Sequence, residues 1–478
     1  MGETTTGATR TETDSLGTIE IPADRYWGPQ TERARRLFRI GSERFPPGLV
    51  RAVGLHKWAC AEANRRLGEL PEELAGPIQQ AAQEIADGRR DEEFPLPVWQ
   101  TGSGTQTNMN ANEVISNRAN EILGQPLGSR QPVHPNDHVN RGQSSNDNFP
   151  TMMHIAAVEV LEGRLLPALG RLHAALWRRS EEWAGIVKVG RTHLMDAVPV
   201  TLGQEFGAWA RQVELGQERL RATLPRLLLL PQGGTAVGTG LNRHRDFDRV
   251  FCGIVAERTG LAFAPNPNKF EGMGAHDAFV ELSGAMNVVA VSLNKVGNDI
   301  RLLGSGPRSG LAELVIPADG LSSSIMPGKT NPTQSEALTM VCAQVMGNNV
   351  TVTVAGAQGH LELNVFKPVI IQAVLQSATL LADATESFAE HMVAKLEPNR
   401  ERIAENLAKS LMLVTALNPR IGYDKAVRIG KKALAENLTL RDAAAALGFV
   451  SPEDFDRWVR PEEMVEPGAT LDGGGGGG

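Results

Sequence analysis

The chain has 478 residues, enough to bury a large core. Its 48 Lys and Arg stand against 55 Asp and Glu, a formal charge of -7, which argues against nucleic acid or an anionic membrane as partner. Three cysteines, Cys60, Cys252 and Cys342, are widely spaced, show no metal-ligand spacing and fit reduced core thiols of a cytoplasmic protein.

The first fifteen residues are polar and Thr-rich, and the last six are glycine; both ends are expected to be disordered. Nothing near the N-terminus has the apolar core or arginine bias of a targeting segment. Strand signals are sparse, with weak candidates at Gly17 to Pro22 and Leu261 to Ala264. Helical periodicity dominates. Val158, Leu161, Leu165, Leu169, Leu172 and Leu176 recur at three- and four-residue steps, as do Leu282, Met286, Val289, Leu293, Val296 and Ile300. Both patterns predict long helices with one buried face, the first kinked at Pro167. With Phe206 to Leu220 and Ala337 to Val345 they predict a mainly α protein with a central helical bundle. No run of roughly 18 apolar residues occurs, so no membrane span is expected.

Five segments stand apart from the packing pattern, and four of them carry candidate chemistry. Gly102 to Asn108 reads Gly-Ser-Gly-Thr-Gln-Thr-Asn, and His134 to Asn146 reads His-Pro-Asn-Asp-His-Val-Asn-Arg-Gly-Gln-Ser-Ser-Asn. Gly190 to Asp196 reads Gly-Arg-Thr-His-Leu-Met-Asp, and Gly233 to Gly240 is glycine-rich and reads as structural. The last, Ser322 to Pro332, is Ser-Ser-Ser-Ile-Met-Pro-Gly-Lys-Thr-Asn-Pro. There Asn331 fits an N-cap, Pro332 a first helical position and Gln334 a capping-box partner. Lys329 and Asn331 would then stand at a helix N-terminus, where free amides favour a carboxylate, with Glu336 about a turn further on. Gly-Lys-Thr here is not a P-loop, since residue 323 is serine where that motif needs glycine and no apolar β-run precedes it. His134 and His138 have helical metal spacing, but Pro135 and Asn136 should break a helix there, and no third ligand is evident. No metal site and no nucleotide fingerprint are expected.

Taken together, these five segments resemble, in order and over nearly the whole chain, the shared blocks of the fumarase/aspartase superfamily. Within it the match favours the class II fumarases. Aspartases typically carry glutamine where His193 stands, alanine at Gly328 and Ser-Thr at Ser144-Ser145. Ser322 departs from the family's glycine before the serine pair.

The resemblance implies a three-domain fold, with an N-terminal mixed domain (1–141), a central bundle of long helices (142–397) and a small C-terminal helical domain (398–478). It implies the tricarboxylic acid cycle reaction, reversible hydration of fumarate to (S)-malate, by acid-base catalysis without a cofactor. The alternatives are an ammonia-lyase or hydratase acting on a related fumarate derivative, or a non-catalytic scaffold. The resemblance assigns Ser323 as carbon base, His193 as the second proton-transfer group and Glu336 as its partner. Substrate binding falls to Ser103, Gly104, Thr105, Ser144, Ser145, Asn146, Thr192, Ser324, Lys329 and Asn331. His134, Asn136 and Asp137 map to an accessory dicarboxylate site, for which an Asx-rich turn is an equal reading. The expected partners are a small dicarboxylate and three further copies of the chain, in a homotetramer whose active sites are shared between subunits.

Overall fold

The computed structural model describes residues 8–321 and 325–468. Helix dominates, and among the described residues β-structure is limited to short two-stranded pairs and an isolated bridge between Arg44 and Pro97. In chain order, strands β1 (Thr9–Asp14) and β2 (Gly17–Pro22) precede helices α1 (Pro29–Leu37), α2 (Pro47–Arg66), α3 (Glu72–Ala86), α4 (Thr105–Ile122), α5 (Ser145–Val160) and α6 (Leu166–Glu182). Strands β3 (Val187–Thr192) and β4 (Met195–Thr201) then lead into α7 (Leu202–Leu227), α8 (Phe247–Thr259), α9 (Lys269–Gly274), α10 (Asp277–Leu303), α11 (Thr333–Gly356) and α12 (Lys367–His391). Shorter helices follow from Arg400 to Trp458. Two compact units result. One comprises Met1–Pro167, Gly216–Val291 and Val341–Asp383; the other comprises Ala168–Leu215, Ser292–Met340 and Ala384–Gly478.

The N-terminal expectation needs correction. Residues 9–14 are not disordered but form β1, paired antiparallel with β2 from Thr9 opposite Pro22 to Asp14 opposite Gly17. Composition misleads here because β1 brings polar and β-branched residues, while its partner strand supplies the buried Ile19 and Ile21. Arg10 adds side-chain bonds to the carbonyls of Pro22, Arg25 and Trp27 at 2.8, 2.6 and 2.7 Å. The other weak strand candidate shrinks to Ala264–Pro265.

Both helical stripes are buried as the periodicity predicts, from Val158 to Leu176 and from Leu282 to Ile300. The kink expected at Pro167 is preceded by a π turn over Leu161–Leu165, in which the Leu166 amide bonds the Leu161 carbonyl. Pro167 has no N–H for the preceding turn, and a wider turn just before it absorbs the missing bond.

The start of α11 differs from the expected cap. The helix begins at Thr333, and the Pro332 carbonyl accepts its first bond from the Glu336 amide at 3.1 Å. Gln334 closes no capping box; its side-chain oxygen accepts from the Ser387 hydroxyl at 2.7 Å. Leu338, Cys342 and Val345 form the buried stripe, while Ala337 is exposed and Val341 half-buried. On the other faces, Met340, Val350 and Val354 are 68%, 62% and 56% exposed. Two helical stretches, α11 and Lys367–Lys395, are long and apolar enough to cross a membrane by length and composition. Asn348 interrupts the first, donating to Gln376 and Ser377 of α12 at 2.9 and 3.0 Å.

Candidate active site

In the first unit, the two serine-rich blocks meet. The Gly102 carbonyl accepts from the Lys367 amide at 3.0 Å, so closely that a Cβ on Gly102 would lie 1.2 Å from the Val365 carbonyl oxygen. Gly104 adopts φ +76 at the N-cap of α4, its α-carbon facing the Phe149 ring. Held between them, the Ser103 hydroxyl lies 2.7 Å from that of Thr105, which lies 2.8 Å from that of Ser145. Ser144 caps α5: its hydroxyl accepts from the Asn146 amide at 3.2 Å, and its own amide donates to Asp147 at 3.0 Å. Asn146 donates to the Ala236 carbonyl at 2.8 Å. Hydroxyls gathered where α4 and α5 begin, with each helix's positive end toward them, suit a carboxylate.

Behind this cluster lies a buried polar network that the sequence reading missed. Asp147 is fully buried, and burial raises its pKa to about 6 against the pull of amides from Thr235, Ser144 and Gly233. The Gly233 and Thr235 amides each donate to Asp147 Oδ2 at 2.9 Å, which explains the glycine-rich run as an anchor. Lys57 is also fully buried, which lowers its pKa to about 7. Its ammonium donates to Asn140 Oδ1 at 3.1 Å and Gln143 Oε1 at 3.0 Å. One signal could have revealed it: Val53, His56, Lys57 and Cys60 share the core-facing spacing of α2.

In the second unit, Thr192 and His193 stand at the tip of the β3–β4 hairpin, with Thr192 paired to Met195. His193 and Leu194 occupy left-handed conformations at φ 58 and 61, as a two-residue hairpin turn requires. Thr192, His193 and Met195 are all exposed. The hairpin base is rigid. Arg191 clamps Glu313 at 2.6 and 3.1 Å, and Lys188 reaches Glu313 at 3.2 Å and Glu205 at 2.8 Å. Burial opposes the Glu313 charge, but Arg191 and Lys188 hold its pKa below the usual range.

Along the loop before α11, Ser323 and Ser324 lie outside the described residues. The Lys329 amide donates to the Met326 carbonyl at 3.2 Å, and the Thr333 hydroxyl donates to Asp319. Lys329 and Glu336 are exposed and Asn331 is half-buried. Among the described residues of this single chain, no hydrogen bond or ion pair joins His193 to Glu336.

The His134 segment corrects another expectation. Pro135 and Asn136 do not break helical structure: Pro135 opens a π turn, Pro135–Val139, capped by His134. Nδ1 of His134 faces the amides of Asn136 and Asp137 at 3.3 and 3.2 Å, and Nε2 accepts from Arg130 at 2.9 Å. Burial holds its imidazole below the usual pKa range. Arg130, absent from the sequence reading, borders with Asn136 a cavity of about 410 Å³ that Glu12, Asp14 and Glu113 also line.

The family described as lyase matches residues 17–347, and that described as fumarase C C-terminus matches residues 413–466. Fold and converging hydroxyl blocks together define a lyase of the fumarase/aspartase type. The chain is 59% identical over 461 residues to the mitochondrial fumarate hydratase of Schizosaccharomyces pombe, covering 96% of this chain and 88% of that one. It is 58% identical to the class II fumarate hydratase of Methylorubrum extorquens, covering 96% and 98%. The solved class II fumarase of Schistosoma mansoni superposes with a TM-score of 0.93 at 43% identity, covering 96% of this chain and all of that one. The chain belongs to the class II fumarase family.

Proposed function

We propose that the chain hydrates fumarate reversibly to (S)-malate. The observation that carries this reading is the convergence of Ser103, Thr105 and Ser145 where two helices begin, in a chain alike over nearly its full length to fumarate hydratases. The difficult step removes a proton from the carbon beside a carboxylate. The aci-carboxylate so formed carries extra negative charge and needs fixed donors in a water-poor site. Ser323 takes that proton, its alkoxide stabilised by Lys329. Lys329 and Asn331 hold one carboxylate, Ser324 orients the substrate, and the Ser103–Thr105 and Ser144–Asn146 blocks with Thr192 hold the rest. His193 moves the second proton through a bound water, oriented by Glu336. The scheme transfers a proton and a hydroxide and calls for no electron transfer. His134, Asn136 and Asp137 make the accessory dicarboxylate site in the same reading, with Arg130 beside them as the donor to His134.

The assembly we propose is a closed homotetramer in which three chains supply each site, built on the 1–141, 142–397 and 398–478 domains. Two observations support it. His193 and Glu336 do not pair within one chain, and α11 leaves Met340, Val350 and Val354 open, a face that another copy's helix would cover. Buried, unpaired Cys60, Cys252 and Cys342 support a reducing, cytoplasmic setting.

The test is an assay of fumarate loss by purified protein with and without ammonium. Loss without ammonium is expected; loss only with ammonium would make the chain an ammonia-lyase, and none would leave a scaffold. In parallel, inactive His193→Gln and Ser323→Ala proteins, dissociated and reassembled together, should regain part of the activity. A fully active monomer at nanomolar dilution would overturn the shared site.

A further inference from the structure

Two buried titratable side chains, Lys57 and Asp147, bracket the Ser144–Asn146 segment, and neither has a part in the reaction scheme above. On the N-terminal side, the Lys57 ammonium is tied to Asn140 and Gln143, on the stretch that runs directly into Ser144. Asn148 donates to the same Gln143 oxygen at 3.1 Å and to Asn108 Oδ1 at 2.9 Å, binding that stretch to α4 and α5 together. On the C-terminal side, Asp147 grips the Ser144 amide with one oxygen and the Gly233 and Thr235 amides with the other. Gln232 continues the network, donating to Asn148 Oδ1 at 2.9 Å and accepting from the His56 ring at 2.6 Å. Every buried side-chain nitrogen and oxygen of Lys57, Asp147, Asn148 and Gln232 has a partner.

A buried ammonium and a buried carboxylate stabilise a fold little by themselves, because desolvation offsets their attraction. A fully satisfied network does hold its members in one arrangement. The three residues it holds here, Ser144, Ser145 and Asn146, are those that must meet the substrate carboxylate. Without the tethers the segment would have to order on each binding event, and that entropy would be lost from affinity.

We propose that Lys57 and Asp147 are positioning residues that preorganise Ser144, Ser145 and Asn146 for a four-carbon dicarboxylate. The proposal rests on the hydratase reading of that segment. Binding groups that grip ground state and transition state alike change KM more than kcat. Disordering them through Lys57 therefore carries that signature, whereas a merely structural Lys57 would lower the active fraction and leave KM unmoved.

The experiment uses the full chain carrying Lys57→Met and, separately, Lys57→Gln, whose amide can still donate to one of the two acceptors. KM and kcat for fumarate are measured, with calorimetric binding of succinate, a dicarboxylate that cannot be hydrated. Lys57→Met should raise KM and weaken succinate binding by about 10-fold, with kcat within about 3-fold, as expected when hydrogen bonds to a binding loop are lost. Lys57→Gln should fall between it and the wild type. Should Lys57→Met not fold, Gln143→Ala cuts the same tether on the loop itself and should weaken succinate binding likewise. Unchanged succinate affinity in the folded variants overturns the proposal, whether or not the wild type hydrates fumarate. Wild-type protein that binds succinate but leaves fumarate intact overturns only the hydratase reading, and wild type that binds no succinate overturns both.

Discussion

The Thr105 hydroxyl lies 2.8 Å from the Ser145 hydroxyl, and each residue is the first of its helix. Two helix N-termini from separate sequence blocks thus meet at one hydrogen bond, so the two hydroxyls should act on substrate as a unit. In a double-mutant cycle of Thr105→Val and Ser145→Ala, read on fumarate kcat/KM, the coupling should be roughly 0.5–1.5 kcal/mol. Additive losses would show that the two hydroxyls bind independently.

Gly102→Ala should destabilise the fold. Its Cβ would collide with the backbone carbonyl of Val365, which cannot rotate away as a side chain could. Forced backbone shifts cost about 1–3 kcal/mol, so thermal denaturation should show a clearly lower Tm. Gly48→Ala, with nothing within 4 Å of its added methyl group, is the control and should leave Tm nearly unchanged. Equal melting of the two variants would contradict the contact.

Ser323→Ala should cut turnover by about 100- to 10,000-fold, the usual loss of a general base, while far-ultraviolet circular dichroism stays native. Near-native turnover in Ser323→Ala together with an inactive Ser324→Ala would move the base by one residue.

Stability should depend on pH through Lys57. Burial lowers its pKa from 10.5 to about 7. Between those values the unfolded chain binds the proton and the folded chain does not, so stability rises with pH. The contribution is fully present above about 10.5 and is lost as pH falls through about 7. Urea denaturation of wild type and Lys57→Met at fixed protein concentration, at several values from pH 7 to 10, should show the difference growing in favour of the wild type. A pH-independent difference would place Lys57 in contact with solvent.

The leucine stripes of α5, α6 and α10 and the hydroxyl blocks were legible in the sequence, because periodicity and local spacing survive in one dimension. The stripe from Val158 to Leu176 is buried throughout, and Ser103, Thr105 and Ser145 form one chain of hydroxyls. Three things were decided only by tertiary structure. Strand β1 exists because β2 supplies apolar residues that β1 lacks. Gln334 serves Ser387 instead of a helix cap, since a partner distant in the chain outcompetes a local one. The buried network of Lys57 and Asp147 forms because partners from Asn140 to Thr235 converge on them only when the chain is folded. Composition and spacing record what each segment can do alone, whereas desolvation and hydrogen-bond satisfaction depend on neighbours that the fold brings together.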